Sequence, residues 1–230
     1  DKLMKLKILK EIIKKKENKS EFSIITNLET GNSEIFEVNK TISKDFEKYK
    51  DKINEFYKNK KSGLIKGTNI FVDTYIKPIK VIIVGGVNIA QYVVDYAKNL
   101  NFEIIIIDPR GYFTTQQRFA WDIQIINKWP NEAFKEINTD SSAALITLTH
   151  DPKIDDLALH HALRKKFYYI GALGSKKTHT NRCERLKLAG FKKNEINSIH
   201  GPIGIDLGGK APPEIALSII AQLILETYKT

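Results

Sequence analysis

Apolar positions along the chain follow two different rhythms, and the change falls near residue 77. In the first part Leu3, Leu6, Ile8, Leu9, Ile12 and Ile13 recur near helical spacing with lysines between them. That spacing predicts a basic amphipathic helix laid on a small core. Phe22-Ser23-Ile24-Ile25-Thr26 and Ile35-Phe36-Glu37-Val38 flank Thr30-Gly31-Asn32 and predict a hairpin. Phe46, Tyr49, Ile53 and Phe56 mark a second helix with a charged outer face. Ile70 to Ile76 reads as a strand, and Lys77-Pro78 breaks the pattern. From Lys80 onward, runs of Val and Ile alternate with helical stretches. Strands are predicted at 81–84, 103–107, 143–149 and 167–170, with a weaker one at 123–126. Helices are predicted at 89–99, 154–165, 176–189 and 213–228, the last opened by Pro212-Pro213.

Near-continuous Val/Ile strands are the composition of a parallel sheet covered on both faces. The expected fold is therefore α/β: a Rossmann-like C-terminal domain over 78–230 and a small α+β N-terminal domain over 1–77. Val81 to Ala90 supplies the sharper sign. A buried strand runs into Gly85-Gly86 and a helix start, and a second buried strand ends in Asp108. This is the opening of a dinucleotide-binding unit, but G-x-G-x-x-G/A asks for glycine where this chain has Val87. A branched side chain at 87 is expected to crowd the path of a pyrophosphate. NAD(P) is therefore doubtful, although Asp108 stands where a ribose hydroxyl acceptor belongs. Its alternative role is to pair with Arg110.

The strand ends carry the rest of the candidate chemistry. Ligands of open parallel sheets bind beyond the carboxyl ends of the strands. Here those ends hold Gly85-Gly86, Asp108-Pro109-Arg110, Thr149-His150-Asp151-Pro152 and Gly171 to Thr178. One edge of the sheet is expected to gather Gly85, Asp108, His150 and Gly171. In the last segment Gly171 and Gly174 permit a tight turn, Ser175 can cap the helix, and Lys176 and Lys177 add charge. That makes an anion cradle, or else an ordinary strand-to-helix turn with solvated lysines. His150 and Asp151 can carry a proton, or Asp151 can cap the helix that follows. Gly201 to Gly209, with Gly204 and Asp206, either lines the same crevice or carries the chain across the sheet edge. His160-His161 reads as surface or packing, and Cys183 as a plain helical cysteine.

Composition narrows the classes. Hydrophobic residues make up 42% of the 230 positions, enough for a globular core. No run approaches the roughly 18 apolar residues of a membrane span. The start lacks a signal-peptide pattern and an initiator Met, so the cytoplasm is the expected location and the true start is expected upstream or trimmed. One cysteine excludes an internal disulfide framework, and the five histidines show no zinc spacing, so no protein-built metal site is expected. The net charge of +10 is dispersed and lysine-rich, without a nucleic-acid-binding module. Neither nucleic acid nor membrane is expected as a partner.

Three blocks in order resemble a known family. They are Thr147-Leu148-Thr149-His150-Asp151-Pro152-Lys153, Tyr169 to Thr178, and Gly201 to Gly208 followed by Pro213-Glu214-Ile215-Ala216, with Ile107-Asp108-Pro109-Arg110 before them. Together they are similar to the C-terminal domain of xanthine dehydrogenase accessory proteins of the XdhC/CoxI type. The resemblance implies an accessory role in maturing a molybdenum hydroxylase of the xanthine dehydrogenase, aldehyde oxidoreductase or CO dehydrogenase type. It implies the molybdenum cofactor as transient cargo, the hydroxylase apoenzyme as partner, and a sulfurase as a second partner. Carried onto this chain, the expected binding residues are Gly85, Gly86, Asp108, Arg110, Gly171, Gly174, Ser175, Lys176, Gly204 and Asp206. His150 and Asp151 face the ligand. The chain departs from the family in lacking its cysteines and in placing Val87 and Asn88 where a glycine and a histidine are usual. An NAD(P)-dependent oxidoreductase and a scaffold with a vestigial nucleotide site are the competing readings. No Tyr-x-x-x-Lys pair supports the former. A homodimer is expected from the apolar last helix, whose Ile215, Leu217, Ile219, Ile220, Leu223 and Ile224 exceed the needs of one core.

Overall fold

The computed structural model describes residues 2–18, 20–38, 40–119 and 123–229, with side chains from residue 6 onward. Two compact units divide at Pro78 and Ile79. The first contains helix α1 (Lys2–Glu17), strands β1 (Phe22–Asn27) and β2 (Ser33–Phe36), helices α2 (Lys44–Glu47) and α3 (Lys50–Lys58), and strands β3 (Gly63–Leu64) and β4 (Ile70–Tyr75). Its antiparallel sheet runs β2-β1-β4-β3. The expected hairpin is present, with Ser23 opposite Phe36 and Thr26 opposite Ser33. Asn27 holds its turn by accepting from the amides of Glu29 and Thr30. Ile25, Phe36, Phe46, Ile53, Ile65, Ile70 and Val72 form the core.

Helix α1 meets its expected role only in part. Leu6, Leu9 and Ile13 are exposed rather than laid on the core. Ile8 and Ile12 are half-buried, as is Lys15 one turn on. Lys15 pairs with Glu37 at 2.5 Å, and the ammonium of Lys16 sits 4.3 Å from the Tyr75 ring centroid. The side chain of Leu3 lies outside the described set.

The second unit contains β5 (Ile79–Val84), α4 (Asn88–Ala97), β6 (Phe102–Ile107), β7 (Gln124–Ile126), α5 (Pro130–Glu136), β8 (Ala144–Thr147), α6 (Pro152–Lys165) and β9 (Tyr169–Ala172). It continues through α7 (Lys176–Leu188), α8 (Lys193–Ile196), β10 (Ile199–His200) and α9 (Pro212–Thr227). The sheet is six-stranded in the order β10-β9-β8-β5-β6-β7, and every pairing is parallel. Strand alternation divides the core. Ile82, Val84, Ile105, Ile107 and Leu145 face α5 and α6, whereas Val81, Ile83, Ile104, Ile106 and Ile146 face α4 and α9. Covered faces on both sides are why these strands read as unbroken Val/Ile runs.

Three local differences matter for the site. The strand expected over 167–170 is Tyr169–Ala172, because Lys166 ends α6 in the left-handed region at φ 54° and Phe167 still bonds back to Ala162. The strand expected over 143–149 ends at Thr147, with Thr149 turned to a carboxylate instead. Helices α5 and α8 and strands β3 and β10 were not expected; each is too short for a periodic signal. In α9, Ile219, Ile220 and Leu223 are buried and Ile215 and Ile224 pack against the same cluster. The apolar residues that suggested a second copy are thus spent on α4 and the sheet, apart from exposed Leu217. No helix among the described residues is long and apolar enough to cross a membrane.

Candidate functional site

The sheet order reverses between β5 and β8, so the crevice beyond Val84 and Thr147 is where a parallel sheet ordinarily takes its ligand. Here the chain's own segments stand against the turn at Gly85 and Gly86. Gly85 is at φ 111°, and a Cβ there would come within 2.9 Å of the Thr149 methyl. A Cβ at Gly86 would overlap the carbonyl oxygen of Phe113. The bare backbone that a pyrophosphate would approach is therefore covered by the 3₁₀ turn Gly111–Phe113.

Asp108 holds this arrangement closed. It is fully buried. Its Oδ1 accepts from Arg110 N at 3.0 Å and Arg110 Nε at 2.8 Å, and its Oδ2 from Arg110 Nη2 at 2.7 Å and Gly86 N at 3.0 Å. The carboxylate in turn raises the pKa of the guanidinium. Asp108 has no oxygen left for a ribose; of its two readings, pairing with Arg110 is the one realised. Arg110 also stacks on Phe113, 4.4 Å from the ring centroid. Val87 caps α4 in an extended conformation and packs against the apolar cluster of α4 and α9. Beside the crowding expected of Val87, the structure adds a second obstruction, the carbonyl of Phe113 over Gly86. Val87→Gly is accordingly expected to leave NAD(P) affinity unimproved in calorimetry. Micromolar NAD(P) binding by either form would refute the closed turn.

A cavity of about 310 Å³ opens one crossover away, lined by His150, Pro152, Asp155, Lys177, Thr178, Asn181, Arg182 and Arg185. Two helix starts build it. Asp151 caps α6 by accepting from Lys153 N at 2.9 Å. Ser175 caps α7 by accepting from Thr178 N at 3.2 Å, and such a cap is worth about 1 kcal/mol. Gly174, at φ 140°, lets the chain enter α7; a Cβ there would sit 2.8 Å from the Thr178 methyl. Thr178, Asn181, Arg182 and Arg185 follow at helical spacing along one side of α7. His150 stands at the rim in the left-handed region, φ 60°. The flanking network holds it there: the Thr149 hydroxyl donates to Asp155 Oδ1 at 2.6 Å and accepts from Asp151 N at 3.0 Å.

The electrostatics of the cavity are uneven. Arg185 is matched by a bidentate pair with Asp156, at 2.6 and 3.0 Å. Arg182 is only 2% exposed and, among the described residues, has no carboxylate within ion-pair distance. Its Nη2 donates to Leu173 O at 2.7 Å, whereas its buried Nε–H has no partner. Burial pushes the guanidinium pKa down, with Asp155 opposing. Asp155 is itself 2% exposed, and burial pushes its carboxyl up to about 6 against the hydrogen bond from Thr149 and the charge of Arg182.

The expected site residues therefore scatter. His150 joins the cavity wall, while Asp151 and Ser175 stand at its two helix caps. Lys177 lines the cavity, and exposed Lys176, the lysine expected to carry the charge, does not. Gly171 lies inside β9, not after it; a Cβ there would overlap Ile203 and approach Tyr169 Oη at 2.7 Å, so its glycine answers to packing. Gly204 packs on α9, where its amide donates to Gln222 at 2.9 Å. Asp206 is exposed and accepts from the Gly208 amide. The loop 201–209 contributes no residue to the cavity wall. His161 stacks on Phe134 with centroids 3.9 Å apart, a packing role. Cys183 is half-buried beside His179 and not on the cavity wall. No three metal-ligating side chains cluster among the described residues. Asp155 and the cavity role of Arg182 were missed. The signal available was the polar stripe 178-181-182-185, which interrupts the apolar face that a helix packed on a sheet normally shows.

Comparison with known proteins agrees with this architecture. The family model described as the XdhC Rossmann domain matches residues 81–223. A protein of Bacillus subtilis described as a probable xanthine dehydrogenase subunit is 27% identical over 157 residues, covering 68% of this chain and 46% of that protein. The molybdenum cofactor insertion chaperone PaoD of Escherichia coli is 35% identical over 104 residues, covering 45% of this chain and 32% of PaoD. This chain thus spans less than half the length of either relative. The crystal structure of a xanthine dehydrogenase from Bacillus halodurans superposes with a TM-score of 0.66 at 22% identity, over 90% of this chain and 59% of that one, and shows a shared fold. With the parallel sheet, the glycine turns and the family match over most of its second unit, the chain belongs to the XdhC Rossmann-domain family.

Proposed function

We propose that this chain is a maturation factor for a molybdenum hydroxylase and that the α6–α7 cavity holds the molybdenum cofactor in transit to the apoenzyme. The observation that carries this reading is the cavity itself: a concave site at the sheet's carboxyl edge, with Lys177 and Arg182 free of ion pairs among the described residues, inside the family-matching segment. Its donors suit the phosphate end of the cargo, because the first turn of a helix offers free amides and partial positive charge. The role is non-covalent. Lys177, Thr178 and Asn181 bind and orient, the wall of α6 excludes water from one side, and His150 at the rim stands where cargo enters. A thiolate hold on the metal is not part of the reading, because Cys183 stands off the cavity wall. The partners of this reading are the apoenzyme that receives the cargo and a sulfurase that completes it, acting in the cytoplasm.

The test is activation of cofactor-free hydroxylase by added cofactor and this protein. Wild type is expected to activate, and Lys177→Glu to do so about tenfold less efficiently, the cost of one lost charge-assisted contact. Lys176→Glu, a reversal outside the cavity, is expected to match wild type. Equal activation by all three would remove the cavity from the function.

A further inference from the structure

The least explained group in the second unit is the guanidinium of Arg182. An arginine almost never lies fully buried without pairing. This one is 2% exposed, lacks a carboxylate within ion-pair distance among the described residues, and leaves its Nε–H without a partner. Leu173 O satisfies Nη2, which fixes the plane of the fork. Nη1 has only His179 Nδ1 at 3.5 Å, a weak contact. The arginine is therefore held rigid on the cavity wall with donor capacity to spare. An unpaired buried donor costs roughly 1–3 kcal/mol, more when charged. An anionic oxygen in the cavity would offset the unpaired charge.

We propose that Arg182 is the ligand-reading residue of this cavity and binds an oxygen of a phosphate monoester through its guanidinium, beside the α7 N-terminal turn. The proposal rests on the cavity being the cargo site and names the chemistry it recognises. Arginine suits this role because its fork presents two parallel donors to phosphate, which a lysine cannot. Asp155, which reaches the cavity from α6, would oppose an anion, but it can be neutralised at small cost near neutral pH, since burial already pushes it up to about 6. The groups around it are Thr149, Arg182 and Asp156, and His150, Lys177 and Arg185 also line the cavity. Proton uptake by Asp155 is thus expected to accompany phosphate binding.

The experiment uses the whole chain with ¹⁵N-labelled arginine, titrated with inorganic phosphate and separately with phenyl phosphate. The Arg182 Nε–H resonance is expected to shift with both probes while that of exposed Arg164 stays in place. A stronger response to phenyl phosphate identifies an organic monoester as the ligand class, and a stronger response to inorganic phosphate identifies the free ion. Calorimetry in buffers of different ionisation enthalpy is expected to show proton uptake in wild type that Asp155→Asn abolishes. Arg182→Met is expected to weaken phosphate about tenfold or more, with Arg182→Lys recovering part. Phosphate binding with a silent Arg182 resonance, or no binding of either probe, overturns the proposal. Hydroxylase activation that fails while Arg182 still responds would instead defeat the maturation reading and leave this inference standing.

Discussion

Arg110→Ala is expected to lower the unfolding free energy by about 3–5 kcal/mol, the cost of leaving a buried charge without its partner. Asp108 has no solvent exposure and depends on Arg110 for three of its four hydrogen bonds, the remaining one coming from Gly86 N. Alanine removes the two side-chain donors and the cation together. The carboxylate must then ionise in an apolar setting or take up a proton, and either outcome loosens the turn at Gly86. Arg110→Lys keeps the charge but not the fork, so it is expected to recover only part. Urea unfolding with an unchanged slope is the measurement. A loss below about 1 kcal/mol would place Asp108 among weak surface pairs and would reopen the nucleotide turn as a ligand site.

The second large effect is pH-dependent. The Asp155 carboxyl is raised from 3.8 to about 6 by burial. The folded chain therefore binds this proton more tightly than the unfolded one. Below the unfolded value both states hold it; as pH rises from about 4 to about 6 the unfolded state ionises first and stability is lost. The full loss is about 3 kcal/mol, at 1.36 kcal/mol per pKa unit. Asp155→Asn keeps an oxygen for the Thr149 hydroxyl but has no proton to lose. Its stability relative to wild type is therefore expected to rise by about 3 kcal/mol between pH 4 and pH 7. Groups common to both proteins cancel in that difference. Parallel stability profiles across this range would mean that Asp155 is not desolvated and that the cavity is wet.

The framework of the second unit was legible in the order of its residues. Strands β5, β6 and β8 could be read because both their faces are covered, which writes them as unbroken apolar runs. Helices α4, α6, α7 and α9 were legible from their period, and the caps at Asp151 and Ser175 from residue type and position, because caps act across three residues. The hairpin of β1 and β2 was equally local. Long-range packing alone settled which gaps are filled by the chain itself. Gly86 reads as a ligand glycine until Phe113, from a distant segment, is found against it, and Gly171 reads as a turn glycine until Ile203 is. Only packing decided which apolar residues of α1 are covered: Ile8 and Ile12 are half-buried, Leu6, Leu9 and Ile13 exposed. Arg182 and Asp155 became the walls of a cavity only when α6 and α7 packed side by side on the sheet. Periodicity and caps are set by neighbours within a few residues and survive as patterns. Occupancy of space depends on residues far apart in sequence, and a single chain's order of residues carries no record of those distances.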